Sequence, residues 1–154
     1  QVLLNGEDVS GLIRTEEVGN MASAVSGYMP VREKLVELQK QLAAKENVIM
    51  DGRDIGTCVL PDAPAKIYLT ASVEVRAARR YKELLEKGMK ADLKEIEKDI
   101  EDRDYRDMHR EHSPLKQAED AVLLDTSSMT LDQVVEEILK IVREKGYKAD
   151  GGQA

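Results

Sequence analysis

The sequence has no phenylalanine and no tryptophan, and its five tyrosines are its only large aromatic side chains. Any core must therefore be aliphatic. A single cysteine, Cys58, excludes an internal disulfide, and a reducing cytoplasm is the expected home. Long apolar runs are missing as well: VVEEILKIV is interrupted by charge and AVLL is far too short to span a bilayer. The opening residues do not follow the pattern of a secretory signal. Positive charge is in deficit, with 23 Lys and Arg against 30 Asp and Glu, a net charge of −7. That balance argues against a nucleic-acid groove, which needs a basic field, and leaves room for a small phosphorylated ligand held by a few local arginines.

What is present reads as one domain's worth of chain, 154 residues with 42% apolar and 34% charged side chains. It opens at Gln1 and runs at once into VLLNGEDVSG, so it is expected to be a piece of a longer sequence. VLLNGEDV predicts a β-hairpin turning at Asn5-Gly6. Helical spacing runs from Leu12 to Val25 and stops at Gly27. Pro30 then suits the first turn of a second helix, with Val31, Leu35, Leu38 and Leu42 as its apolar stripe.

Val48-Ile49-Met50, AKIYLTAS and AVLLDTS predict three buried strands. Ser72 is positioned to cap a helix ending at Gly88, and a long charged helix is expected from about Asp92 to His112, closed by Ser113-Pro114. Thr130 and Gln133 have capping-box spacing ahead of a last helix that stops at Gly146. Short non-alternating strands separated by helices give an α/β fold with a parallel sheet covered on both faces. Ligands in such folds sit beyond the carboxyl ends of the strands.

The charged helix is the most informative stretch. Leu93, Ile96 and Ile100 mark its buried face, and the same line continues through Arg103, Asp107 and Arg110. All six lie within roughly a third of the helical circle. One reading is a solvated helix with staggered ion pairs. The other is a site in which guanidinium forks take a phosphate and a carboxylate accepts from ribose hydroxyls. The continuity of the stripe favours the second.

DGRD follows the first expected strand, setting Asp51, Arg53 and Asp54 in a glycine-bounded turn at a strand's carboxyl end. A plain turn whose carboxylates satisfy backbone N–H groups would look similar. A third cluster, Arg76, Arg79 and Arg80 with Lys82, is either an exposed basic face balanced by Glu83 and Glu86 or a second anion site. Cys58 has no nearby histidine to activate it, and His109 and His112 have no metal-ligand companions.

Taken together, NGEDVSGLIRTEEV, ASAVSGYMPVRE, DGRDIGTCVLPDAPAKIYLTAS, RDYRDMHREHSPLKQAEDAVLLDT and the final helix resemble the bacterial cytidylate kinase family, in family order over nearly the whole chain. The resemblance implies a P-loop kinase-type parallel sheet with flanking helices and an inserted substrate-binding lobe. It implies a nucleoside monophosphate kinase moving the γ-phosphoryl group of ATP onto CMP or dCMP, with Mg²⁺, in a cytoplasmic monomer that binds neither nucleic acid nor membrane. By the same resemblance, residues 1–46 form the CMP-binding lobe and 47–148 the core, with a short lid around 76–92 and a flexible tail at 149–154.

The resemblance also implies residue roles. Ser23 and Arg32 match residues that touch cytosine from the lobe, and Arg53 and Asp54 match residues that complete the base pocket. Arg103, Asp107 and Arg110 match residues that hold the ribose and phosphate, while Arg76, Arg79 and Arg80 lie where the lid begins. No residue of this chain is assigned to the metal. Cytosine presents an N4 amino donor that Asp54 can accept, whereas uracil would set an acceptor against that carboxylate.

One family feature is not in the sequence. No stretch fits the G-x-x-x-x-G-K-[ST] loop that cradles ATP phosphates, and the family's first strand and early helix are also unmatched. These residues alone are therefore expected to be unstable and inactive as a kinase, and the longer parent to be active. Two alternatives stay open: a kinase-derived module that binds CMP without phosphoryl transfer, and a P-loop kinase with another small acceptor.

Overall fold

The structure is a computed structural model describing residues 1–146, with the side chains of Glu16, Asn20 and Ser23 outside that description. The expected tail at 149–154 lies outside the described residues. The chain divides into two compact units, Gln1–Ile49 and Met50–Ala154.

The first unit opens with the hairpin that Asn5-Gly6 predicts. Strands β1 (Leu3–Leu4) and β2 (Glu7–Asp8) pair antiparallel, Leu3 opposite Asp8 and Leu4 opposite Glu7. Asn5 and Gly6 both take positive φ, 52° and 87°, as a two-residue turn matching the twist of its strands requires. Asp8 accepts from the Ser10 backbone N–H, and the Ser10 hydroxyl accepts from the N–H of Val2, which closes the arm.

Helix α1 (Glu16–Val25) begins four residues later than the spacing predicts. Thr15 is the reason: its backbone is extended and its hydroxyl accepts from the Val18 N–H, so it caps the helix and excludes Leu12 to Arg14. Helix α2 (Met29–Ala43) carries Pro30 in its first turn as expected. Its stripe of Val31, Leu35, Leu38 and Leu42 forms the helix but is exposed at every position. Among the described residues of this unit no side chain is fully buried, since a hairpin and two helices have too little mass to enclose a core.

Val48-Ile49-Met50 is not a strand. The segment is irregular and Ile49 is fully exposed, correcting the expectation of a third buried strand. A short apolar run becomes a strand only when another strand supplies its hydrogen bonds, and no described residue does so here.

In the second unit a wide turn spans Ile55–Val59, with the Cys58 N–H on the Asp54 carbonyl (2.8 Å) and the Leu60 N–H on that of Ile55 (2.7 Å). Strand β3 (Ile67–Thr70), helix α3 (Val73–Glu86), helix α4 (Leu93–His109), strand β4 (Val122–Asp125) and helix α5 (Leu131–Glu144) follow. The two strands run parallel, from Ile67 opposite Val122 to Thr70 opposite Asp125. Val59, Ala71, Ala77, Leu124 and Ile141 form the buried aliphatic core. Leu69 and Leu123, on opposite faces of the sheet, are each more than half exposed, so the expected cover on both faces is incomplete.

The helix ends follow local chemistry. Ser72 caps α3 through the Val75 N–H, and Gly88 takes a φ of +71° beyond its end. Thr130 and Gln133 cap each other reciprocally at the start of α5. Asp92 caps α4 by accepting from the Lys94 and Glu95 N–H groups. That helix stops at His109, three residues before the expected end, because Arg110 turns extended and the Leu115 N–H folds back onto the Asp107 carbonyl at 2.8 Å.

Candidate functional site

Asp107 is the hub of the second unit's polar chemistry. Its carboxylate accepts from Arg53 Nε at 2.9 Å, with the Asp107 side chain only 14% exposed and that of Arg53 41% exposed. Arg103 Nε stands 3.9 Å from the same oxygen, but the Arg103 side chain is 59% exposed. The inward stripe of α4 is therefore real at Asp107 and Arg110 and is lost at Arg103. Ile96 and Ile100 are half-buried and Leu93 is more exposed.

Arg110 ends the helix. Its Nε donates to the Ser113 carbonyl at 2.6 Å, and Ser113 itself holds a φ of 48°. The Nη2 atom of Arg110 is buried and makes no hydrogen bond among the described residues. A buried guanidinium nitrogen without an acceptor is costly, and an anionic ligand is the chemistry that satisfies it.

Asp54 is half-buried at the entrance of the wide turn, where its carbonyl gathers the Cys58 and Val59 N–H groups. Arg53 thus reaches from this turn to α4, joining two of the segments singled out from sequence. Arg32 is half-buried on α2 of the first unit, and the Ser23 side chain lies outside the described residues.

The three arginines of α3 go separate ways. Arg76 donates from Nε to the Ala71 carbonyl (2.9 Å) and from Nη2 to Asp104 (2.6 Å). Arg79 reaches across to the β4–α5 loop, donating to the Thr126 carbonyl (2.6 Å), the Thr126 hydroxyl (3.2 Å) and the Met129 carbonyl (3.3 Å). Arg80 pairs with Glu83 on the surface at 3.0 Å.

At the carboxyl end of the sheet, Asp125 accepts from the Ser127 hydroxyl (2.6 Å) and N–H (2.9 Å), and the Ser127 hydroxyl accepts from the Ser72 N–H. The Ser127 hydroxyl, then its N–H, hold the Asp125 carboxyl below its ordinary value.

A model of the cytidylate kinase family matches residues 1–144. The chain is 57% identical over 145 residues to a cytidylate kinase of Lactobacillus johnsonii, covering 94% of this chain and 63% of that protein. It is 50% identical over 152 residues to a cytidylate kinase of Geobacter sp. (strain M21), covering 99% of this chain and 65% of that protein. The chain belongs to the cytidylate kinase family. It spans 63% to 66% of the length of the relatives it matches.

Three side chains that make long-range bonds escape a reading by sequence: Asp104 and Thr126 beside the candidate site and, at the opposite end of the sheet and away from it, Lys66. Each has a partner at least 28 positions away that no local spacing signals. The side chain of Lys66 is only 6% exposed; it donates to Asp120 at 2.8 Å and to the Pro61 carbonyl. Among the described residues no three His, Cys, Asp or Glu side chains gather into a metal cage, and no helix is long and apolar enough to cross a membrane. Cys58 is half-buried in the wide turn, and His109 stacks on Tyr105 with ring centroids 4.1 Å apart.

Proposed function

We propose that this chain carries the acceptor side of an ATP-dependent kinase that phosphorylates CMP and dCMP to their diphosphates. The observation that carries the reading is the Arg53–Asp107 bond, which ties the DGRD turn to the arginine-bearing end of α4. The buried, unpaired Nη2 of Arg110 supports a phosphate at that end. In this reading Arg103 and Arg110 hold the nucleotide phosphate, Asp107 accepts from the ribose, and Arg53 and Asp54 meet the cytosine edge. Ser23 and Arg32 keep the base-contact roles implied by the family.

An oxygen of the CMP phosphate attacks the γ-phosphorus of ATP, the bond to the β–γ bridging oxygen breaks, and ADP leaves. The attacking oxygen is already ionised, so no general base is needed. The work is positioning and positive charge around the equatorial oxygens. In this reading Arg80, held by Glu83 at the helix surface, can exchange that contact for a phosphate oxygen, and Arg76 keeps its bonds to the Ala71 carbonyl and Asp104. Arg79 spends its donors on backbone carbonyls and supports the loop after β4. A lone cysteine and the net negative charge fit a cytoplasmic enzyme of small nucleotides, and the monomeric state is the one the family resemblance implies.

A second reading applies to these 154 residues by themselves. Their sequence holds no Gly-rich phosphate loop, so alone they bind CMP without phosphoryl transfer. A coupled ATP-consumption assay on the protein at its full encoded length, comparing CMP, dCMP, UMP and AMP, tests the main reading. Turnover preferring CMP and dCMP is expected, and preferred turnover of AMP overturns it.

A further inference from the structure

Arg76 lies one turn into α3, and α3 starts at the carboxyl end of β3, the side on which α/β sheets receive ligands. Its guanidinium is held along one edge only. Nε is tied to the carbonyl of buried Ala71 at 2.9 Å and Nη2 to the Asp104 carboxylate at 2.6 Å. Its Nη1 makes no hydrogen bond among the described residues, and the side chain is 34% exposed. A planar fork fixed by two acceptors on one edge presents its other edge in a defined direction.

We infer that Asp104 is a positioning residue: it orients Arg76 so that Nη1 is offered to a phosphate oxygen of the reacting nucleotides. The inference rests on the kinase reading above and adds to it a residue that touches no substrate. Asp104 and Asp107 are three positions apart on α4, hence neighbours on one helix face. Through them α4 holds two arginines from separate segments, Arg76 from α3 and Arg53 from the DGRD turn. Both ion pairs are partly solvated, and pairs of that kind contribute little to stability. What the Asp104 pair supplies is direction: an arginine left to its own rotamers would have to be ordered each time phosphate arrived.

The test uses the protein at its full encoded length with Asp104→Ala, Asp104→Asn, Arg76→Ala and the Asp104→Ala/Arg76→Ala double variant. Asp104→Ala is expected to lower kcat about 10- to 100-fold, the scale of a misplaced positioning group, with KM for CMP and the melting temperature unchanged. Asp104→Asn, which keeps an acceptor oxygen, recovers part of the loss. The double variant is expected to be no worse than Arg76→Ala, because Asp104 acts only through that arginine. Losses that multiply in the double variant, or an Asp104→Ala enzyme with unaltered kcat, overturn the inference.

An NMR measurement separates this claim from the kinase reading. The Arg76 Nη2–H signal, bonded to Asp104, is expected to be slowly exchanging in the parent protein and to lose that protection in Asp104→Ala. Unchanged protection overturns the positioning role whatever the substrate. Absence of CMP turnover in the parent overturns the kinase reading, and with it the catalytic purpose of the pair.

Discussion

Arg53 and Asp107 are 54 positions apart in the chain and 2.9 Å apart in space. The pair joins a glycine-bounded turn to the last full turn of a charged helix. In doing so it turns two ambiguous sequence signals into one polar surface. Because Arg53 is well exposed, the pair adds at most about 1 kcal/mol to folding. Its geometry, rather than its stability, is what the proposed site uses.

Arg53→Ala is therefore expected to leave the fold intact while lowering kcat/KM for CMP about 10- to 100-fold, the scale of a hydrogen bond to a charged group. Asp107→Ala should do the same, and the double variant should fall short of the product, since each residue orients the other. Steady-state kinetics with urea denaturation alongside checks both halves of the statement. Equal loss of folding and turnover would mean the pair is merely structural.

Asp54 is expected to set base choice. Asp54→Ala removes the acceptor for the cytosine amino group, and the preference for CMP over UMP should fall about tenfold, chiefly through CMP. Competition between the two nucleotides in one assay measures the ratio. An unchanged ratio would move base recognition away from this turn and favour another acceptor for the kinase.

Arg79 separates a structural from a catalytic use of the same side chain. Arg79→Ala strands the carbonyls of Thr126 and Met129, and a loss of about 1–3 kcal/mol in unfolding free energy is expected. Arg79→Lys should recover only part of it, because an ammonium has no second nitrogen for the Thr126 hydroxyl. Full stability with abolished ATP turnover would instead assign Arg79 to the phosphates.

Lys66 and Asp120 close the amino end of the sheet, away from the proposed site. Lys66→Ala is expected to cost about 1–3 kcal/mol by leaving polar partners unmet, without altering KM for CMP. The hydrogen bond from Lys66 holds the Asp120 carboxyl below its ordinary value. A carboxyl depressed on folding stabilises the protein above its unfolded value of about 3.9, and that contribution disappears as pH falls through the lower folded value. The stability gap between the parent and Asp120→Asn should accordingly be present at neutral pH and close below about pH 4. Urea titrations across that range read it directly.

Local chemistry was legible in the residues themselves. The Asn5-Gly6 turn, the Ser72 cap, the Thr130–Gln133 box and the Pro30 start all depend on partners within a few positions, and all are found. The late start of α1 shows the limit: helical spacing extended to Leu12, but Thr15 satisfied the N-terminal N–H groups and cut the helix there. Helix α4 ends short of His112 for a similar reason, since the bond from Leu115 back to Asp107 comes from beyond the helix.

By itself the sequence determined the order of hairpin, helices and parallel strands, the aliphatic character of the core, and the family to which the chain belongs. Only the tertiary structure decided that Val48 to Met50 finds no strand to pair with, that Arg103 faces water while Asp107 does not, and that Asp104 holds Arg76. Caps and turns are settled by neighbours along the chain, which a sequence displays. Ladders, burial and long-range ion pairs depend on where the chain returns, and that is settled by packing.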